Sequence, residues 1–444
     1  MLGCFEGIKG CYLLLVLTKL LDELPAYKFI IIQNPPALPL IIAALCVNIL
    51  RTIRSCFGSG ETPAVVCLDW HNLGFSMYAQ MLAEKQSLLR TSALKTLIFI
   101  SKTLEHFLSQ FVHQHLCVSH AMRLWLIDNF SISPDTISVL YDKPPVHFRP
   151  SSNHNADVNL QYRHQLLSKL NLCPEVLFAE DGSSDCTIQT RKCKGGSKVE
   201  LVPYQVLASN STQKRQSPRS KKGEEDCCPD RRTILILSST SWTEDEDFSI
   251  LVDAMVLLDT RITELVKQLP DYKIPRVVVA VTGKGPLKAE YEERFKHLNS
   301  CVLQCVRFTT LWLEAADYPK FVGYADLGIC LHTSTSGLDL PMKVLDMLGA
   351  EVPVLAVSYP TLSELVKHHE NGIIFSTPLE CAQAIFELFY RRFDNTLGLS
   401  DSVCGGPSLP PLEAFKSETR KIGNWDDNWN NVLGPTVQKY FCVS

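Results

Sequence analysis

A polar stretch around residue 340 contains the residue types that bind a phosphorylated sugar. It spans residues 332–346 and reads HTSTSGLDLPMKVLD, so hydroxyl groups and a glycine lead into an apolar, helix-like segment. Asp339 and Asp346 are seven residues apart and would share one face if both were helical, with Lys343 between them. Carboxylates can accept hydrogen bonds from sugar or ribose hydroxyls, and an ammonium can stabilise a diphosphate leaving group. The donor-binding residues predicted here are Ser336, Gly337, Lys343 and Asp346, and Asp339 is predicted to act in catalysis. The competing interpretation is a surface helix with an Asp339–Lys343 ion pair.

Two further turns, each between a predicted strand and a predicted helix, could surround an anion. Residues 282–286 read TGKGP, and residues 238–243 read SSTSWT. Glycines allow close backbone approach, while hydroxyls, free N–H groups and a lysine favour phosphate. The spacing does not match a Walker A loop or GxGxxG, and both turns could be ordinary strand-to-helix connections. The donor-binding residues predicted in these turns are Ser239, Thr240, Gly283, Lys284 and Gly285.

The first half of the chain offers candidates for a general base and for acceptor binding. Asp69, Trp70, His71 and Asn72 follow a predicted strand, and His71 or Asp69 could remove a proton from a hydroxyl. The alternative is a capping aspartate next to a structural histidine. Gln33 and Asn34 also end a strand. The residues predicted to line the acceptor side are Gln33, Asn34 and Trp70.

No metal or cofactor is required by this interpretation. The run EDED at 244–247 could bind Mg²⁺, but carboxylates in the first turn of a helix are the more common reason for such a run. The 17 cysteines include no paired CxxC motifs, which argues against zinc and favours buried thiols in a reducing compartment.

The order of apolar runs predicts an α/β fold with two Rossmann-like domains that face a cleft. Short strand-like runs, such as 116–119, 234–237 and 277–281, alternate with helix-like periods, such as 93–114 and 340–348. This alternation, before residue 150 and again from residue 233, is typical of parallel sheets. A Ser-, Lys- and Asp-rich segment separates the two halves. The predicted division is 1–179 and 233–390 for the two Rossmann-like domains, 180–232 as a polar insertion, and 391–444 as a tail with a helix that packs back on the first domain.

The net charge of the chain and its hydropathy pattern indicate which kinds of partner it can bind. The 444 residues have a net charge of −4, which gives no support for nucleic-acid binding. The apolar segment 29–50 is interrupted by Pro35, Pro36 and Pro39, so it is interpreted as a strand, a turn and a helix rather than a membrane span. A segment with Lys85, Arg90, Lys95 and Lys102 could contact anionic lipid headgroups, or could be a helix with a solvated face.

Taken together, several of these segments resemble the chitobiosyldiphosphodolichol β-mannosyltransferase family. The similar segments are IQNPP at 32–36, DWHN at 69–72, YDKP at 141–144, SSTSWTEDEDF at 238–248, TGKGPL at 282–287, WLEAADYP at 312–319 and the stretch at 332–346. The resemblance implies a GT-B fold in which residues 1–179 bind the acceptor and residues 233–390 bind the nucleotide sugar. It also implies GDP-mannose as donor and GlcNAc2-diphosphodolichol as acceptor. It further implies inverting transfer of the first β1,4-linked mannose of the lipid-linked oligosaccharide, at the cytosolic face of the endoplasmic reticulum membrane.

The chain also departs from the family pattern. The family normally begins with a membrane-anchoring helix and a strand that ends in a Gly-Asp-Gly-Arg-like loop, and neither is found in this sequence. The first domain is therefore expected to lack its initial strand. The alternatives that stay open are a transferase with another nucleotide sugar or a phospholipid acceptor, and a catalytically silent subunit that binds sister mannosyltransferases.

Overall fold

The computed structural model contains two parallel β-sheets, each covered by helices. The structure describes residues 17–19, 22, 28–35, 37–58, 60–76, 88–148, 233–334, 336–396 and 409–441. The predicted insertion at 180–232 and Lys85 lie outside these residues, and the side chain of Arg90 is likewise not described.

The first sheet has four strands in the order β1-β2-β3-β4, all parallel. The strands are β1 (Phe29–Asn34), β2 (Val65–Trp70), β3 (Gln114–Cys117) and β4 (Ile137–Val139). Three helices of this half have both ends among the described residues: α1 (Leu38–Cys56), α2 (Leu88–Ser109) and α3 (His120–Phe130). Buried side chains of β1 and β2 pack against α1 and α3, because parallel strands must be covered on their faces.

The second sheet has six parallel strands in the order β10-β9-β8-β5-β6-β7. The strands are β5 (Ile234–Thr240), β6 (Val277–Gly283), β7 (Val306–Leu311), β8 (Leu327–Cys330), β9 (Val354–Val357) and β10 (Gly372–Phe375). The helices are α4 (Phe248–Gln268), α5 (Lys288–Cys301), α6 (Tyr318–Tyr324), α7 (Met342–Gly349) and α8 (Pro378–Thr396). Alternate residues of β5 enter different cores: Ile234 and Ile236 face α4 and α8, whereas Leu235 and Leu237 face α6 and α7.

The second sheet reverses its strand order beside β5. The chain builds β5, β6 and β7 in one direction and then returns to place β8 on the other side of β5. The loops that follow β5 and β8 therefore diverge at the carboxyl edge and leave a crevice between them, which is where open α/β sheets bind ligands. This topology brings the segment after Thr240 close to the segment that begins at His332.

The chain end lies against the first sheet. Beyond α8 the chain forms α9 (Leu412–Thr419), α10 (Trp425–Asn428), a π-helical turn (Trp429–Leu433) and α11 (Gly434–Phe441). The hydroxyl group of Tyr440 lies 3.2 Å from Oε1 of Gln114, and Leu433 is buried with Cys67 and Leu116. Conversely, Phe148, which follows the last strand of the first sheet, is buried in a hydrophobic core of the second sheet.

Several predicted element boundaries are wrong. The helix predicted from residue 340 begins at Met342, and the helix predicted over 93–114 spans 88–109. The strand predicted at 116–119 covers Gln114–Cys117. Strand β7 and helix α6 were not predicted. VRFTTL alternates apolar and polar residues, a half-buried strand pattern, whereas the predicted strands are continuous apolar runs, and YPKFVGY is too short to show a helical period.

By length and composition, helix α1 is able to cross a bilayer. However, 33% of its most apolar 18-residue stretch is buried within the protein. Its inner face, which includes Ile41, Ala44 and Val47, is fully buried.

Candidate functional site

The predicted anion-binding turns meet where β5 and β6 end. Gly283 has φ +150°, and a Cβ there would lie 1.9 Å from the carbonyl oxygen of Thr240. A Cβ on Gly285 would lie 1.8 Å from the carbonyl oxygen of Ser241. Only glycine allows the two turns to approach this closely. The structure thus brings Thr240, Gly283 and Gly285 together. We call these two turns, residues 238–243 and 282–286, the cradle.

Lys343 reaches the same place from α7. Its ammonium contacts the carboxylate of Glu246 and lies 3.4 Å from Oγ of Ser241. Glu246 is buried and also accepts hydrogen bonds from the hydroxyl of Thr240 and from the Ser241 N–H, the latter at 2.9 Å. The Asp339–Lys343 ion pair considered from the spacing is absent from the described contacts of these residues, because Asp339 precedes the helix and Lys343 turns toward Glu246.

Asp346 belongs to a second network of hydrogen-bonded polar groups in the crevice. The hydroxyl of Tyr318 lies 2.9 Å from Oγ of Ser239 and 3.5 Å from Oδ2 of Asp346. Burial raises the pKa of Asp346 to about 7, and it also raises the pKa of Tyr318. Near neutral pH, the Asp346 carboxyl can therefore exist as a hydrogen-bond donor or as an acceptor.

Asp339 lies in the loop before α7, not on a helical face with Asp346. Its carboxylate accepts hydrogen bonds from Ser334 and from Ser336, the latter at 3.0 Å. The Nδ2 of Asn72 approaches it at 3.4 Å from the first half of the chain. Gly337 has φ +72°, the left-handed conformation that turns this loop. Asp339 is thus one of the residues at which the two halves of the cleft meet.

His71 and Asp69 form a hydrogen-bonded pair beside Asn72. The Nε2 of His71 lies 2.9 Å from Oδ2 of Asp69, and this bond raises the pKa of His71. Asp142, which follows β4, is electrostatically coupled to His71, and burial raises the pKa of its carboxyl. We had not singled out Asp142 from the sequence, although it lies within the YDKP segment.

Of the residues predicted to line the acceptor side, only Gln33 is exposed. Asn34 is buried; it accepts a hydrogen bond from the Ala37 N–H and donates one to the carbonyl of Asn72. Trp70 has no exposed surface, and its indole N–H donates to Nδ1 of His115. The side chains of Asn34 and Trp70 therefore support the loop rather than contact an acceptor in this conformation.

Lys284 and Lys343 contact different groups. The Lys284 ammonium lies 3.8 Å from the ring centroid of Trp312, in cation–π geometry, and 52% of Trp312 is exposed. The two lysines therefore have different partners: Lys343 contacts Glu246, and Lys284 lies over Trp312, which follows β7. The sequence marks Trp312 only as part of the segment WLEAADYP.

The acidic run at 244–247 is divided between different partners. Oδ2 of Asp245 lies 2.9 Å from Nδ1 of His332, Glu246 binds Lys343, and Asp247 caps α4 by accepting a hydrogen bond from the Ser249 N–H. No group of three or more His, Cys, Asp or Glu side chains among the described residues could hold a metal ion.

Glu364 joins the two halves of the molecule near the same cleft. Its carboxylate accepts hydrogen bonds from the backbone N–H groups of His120 at 2.6 Å and Ala121 at 2.8 Å. It also accepts one from the hydroxyl of Tyr141 at 2.8 Å. The carboxylate therefore occupies the N-terminus of α3, where the helix dipole favours a negative charge.

Comparisons with known proteins agree with this architecture. Residues 231–390 match the family described as Glycosyl transferases group 1. A crystal structure of Anabaena Alr3699/HepE in complex with UDP and glucose has a TM-score of 0.54 and 12% identity, covering 96% of this chain and 80% of that one. The predicted α/β fold of the GT-B type is confirmed.

Relatives with higher identity cover nearly the whole chain. The human chitobiosyldiphosphodolichol beta-mannosyltransferase is 33% identical over 95% of this chain and 75% of its own length. An Arabidopsis thaliana protein named UDP-glycosyltransferase TURAN is 33% identical over 95% of this chain and 79% of its own length. This chain is a glycosyltransferase enzyme that belongs to the chitobiosyldiphosphodolichol β-mannosyltransferase family.

Proposed function

We propose that this chain transfers mannose from GDP-mannose to GlcNAc2-diphosphodolichol with inversion, forming the β1,4 linkage of the first mannose. The observation that carries the proposal is the meeting of Asn72 and Asp339 across the cleft. It supports the proposal because it joins the segment that contains His71 and Asp69 to the loop that precedes Lys343. Such an arrangement suits the transfer of a sugar from a diphosphate to a hydroxyl group.

On the donor side, the nucleoside diphosphate would lie at the cradle where β5 and β6 end. Ser239 and Thr240 lie at the end of β5, where backbone N–H groups of the two turns would be the donors, and Gly283 and Gly285 allow these turns to lie against each other. Lys343 would counter the charge that develops on the leaving diphosphate. Because Glu246 is almost completely buried, it fixes the direction of that lysine.

The sugar of the donor would lie between this cradle and the loop before α7. Asp339 would accept hydrogen bonds from mannose hydroxyls, and Ser336 and Gly337 belong to the same loop. Asp346 would act through Tyr318 or contact ribose directly.

On the acceptor side, His71 would act as the general base. Asp69 orients its imidazole and stabilises the imidazolium that forms. His71 would take the proton from the attacking hydroxyl of the acceptor sugar while that oxygen bonds to the anomeric carbon. The bond from this carbon to the diphosphate breaks in the same displacement, and GDP leaves with the electron pair.

Because the acceptor is linked to a lipid, the reaction would take place at a membrane surface, which we propose is the cytosolic face of the endoplasmic reticulum. Other dolichol-pathway mannosyltransferases are proposed as partners there. Exposed lysines of α2, namely Lys95 and Lys102, could contact anionic headgroups.

The test is transfer of labelled mannose to a synthetic chitobiosyl-diphosphate lipid. GDP-mannose should give a product that a β-mannosidase cleaves, whereas UDP-sugars should give none. His71→Ala should abolish transfer, and the matched control His297→Ala, on the exposed face of α5, should not. Transfer from a UDP-sugar would support the alternative donor, and GDP binding without turnover would support the silent subunit.

A further inference from the structure

Helix α2 contains a buried carboxylate that the proposed reaction does not use. Glu105 is 2% exposed, and its Oε2 has no hydrogen-bond partner among the described residues. Its Oε1 accepts a hydrogen bond from Oγ of Ser101 at 3.3 Å. Burial raises the pKa of this carboxyl to about 7. A buried acid destabilises the fold unless it makes compensating contacts, so its backbone neighbours are informative.

Those neighbours belong to the segment that follows β2. The Glu105 carboxylate faces the backbone N–H groups of Gly74 and Phe75, which counteract the rise in its pKa that burial causes. A Cβ at Gly74 would lie 2.2 Å from Oε1 and 3.2 Å from Cδ of Glu105. The carboxylate therefore lies directly against the backbone at a position where no side chain fits.

The same segment begins with two residues of the proposed site, His71 and Asn72. Their backbone N–H groups donate to the carbonyl of Asn34 at 3.0 and 3.3 Å, and Nδ2 of Asn34 donates to the carbonyl of Asn72 at 3.2 Å. Thus Asn34 holds the start of this segment, and Glu105 holds its next turn. We call residues 71–76, a turn that enters a helix at Gly74, the base loop.

We propose that Glu105 is a positioning residue that fixes the base loop, so that His71 and Asn72 face the donor side of the cleft. Glu105 contacts the loop backbone and acts on the reaction only through it. This inference rests on the proposed function, because that function gives His71 and Asn72 their roles. A displacement of about 1 Å in a reacting group can lower a rate by about a hundredfold, so a small movement of this loop would be visible in kcat.

Glu105→Asp is the most informative variant, because it keeps the charge but withdraws the carboxylate from the loop. We expect kcat to fall about tenfold or more while KM for GDP-mannose changes less than about twofold. Glu105→Gln keeps an oxygen that accepts the same N–H groups and should stay within about threefold of the original kcat. Ser101→Ala, which removes the neighbouring hydrogen bond but not the loop contact, is the matched control and should behave like the original chain.

Two measurements keep the test independent of folding and of turnover. The Gly74 and Phe75 amides should exchange hydrogen faster in Glu105→Asp than in the original chain, with an unchanged unfolding midpoint. Gly74→Ala should impair kcat alone but add no further loss to Glu105→Ala, because removing the carboxylate frees the space that the new methyl group needs.

The proposal is overturned if the Gly74 and Phe75 amides of Glu105→Asp exchange hydrogen at the original rate. It is also overturned if the kcat losses of Gly74→Ala and Glu105→Ala multiply in the double variant. If the original chain transfers no mannose, the proposed function fails, and the exchange measurement still decides whether Glu105 fixes the base loop.

Discussion

The Lys343–Glu246 pair allows a quantitative test of how the cradle is built. Glu246 has 1% of its side chain exposed, whereas Lys343 has 23% exposed. Removing either partner should therefore have unequal consequences. Lys343→Met keeps the length of the side chain but leaves a buried carboxylate with the Thr240 hydroxyl and the Ser241 N–H as its remaining donors.

Breaking a buried ion pair by removing one partner costs about 3–5 kcal/mol. Because two donors remain and Lys343 is partly exposed, we expect Lys343→Met to lower the free energy of unfolding by about 3 kcal/mol, at the low end of that range. Glu246→Gln leaves Lys343 able to reach water and Ser241, so we expect a loss of about 1 kcal/mol. The double variant should then show a coupling energy of about 1–3 kcal/mol.

Urea unfolding followed by tryptophan fluorescence measures these losses, with Trp242 buried beside the cradle. The matched control is Lys320→Met, which breaks the exposed Lys320–Asp317 pair on α6 and should cost less than about 1 kcal/mol. GDP affinity should fall at least about tenfold in Lys343→Met, equivalent to about 1.4 kcal/mol. Equal losses in Lys343→Met and Lys320→Met would refute this reasoning.

Three further outcomes follow from the site. Gly283→Ala should weaken GDP binding at least about tenfold in calorimetry, because its Cβ would collide with the Thr240 carbonyl; unchanged affinity would show that the turns can separate. Asp69 raises the pKa of His71, so Asp69→Asn should lower kcat and move the acid limb of the pH–rate profile to lower pH; an unmoved limb would exclude His71 as the base. Glu364→Ala should lower the free energy of unfolding by about 1–2 kcal/mol, because it uncaps α3; the exposed Glu370→Ala is the control, and equal effects would contradict the capping role.

Local pattern was sufficient to predict most of the fold. Buried runs such as ILIL at 234–237 and VVVAV at 277–281 are short, apolar and followed by turn residues, so both strands were predicted. The two turns that follow them were recognised because turn-forming residues come directly after each run: Gly283 and Gly285 after the second, and the hydroxyl residues at 238–241 after the first. Strand β7 was missed because it alternates apolar with polar residues, whereas the predicted strands were continuous apolar runs.

Pairing between distant residues could not be read from spacing. Lys343 lies four residues after Asp339, yet its partner is Glu246, ninety-seven residues earlier in the chain. That partner is set by the reversal of strand order beside β5, which a single sequence does not reveal. Likewise, Trp70 has the residue type of a sugar-stacking group, but the alternation of β2 turns it into the core.

The central claim is that a guanosine diphosphate binds where β5 and β6 end and that Lys343 faces its phosphates. A structure of this chain with GDP bound tests it most directly. The account predicts the diphosphate within about 3.5 Å of Lys343 Nζ and of donors from Ser239 or Thr240, at hydrogen-bonding distance. A diphosphate bound elsewhere, with Lys343 still held only by Glu246, would contradict it.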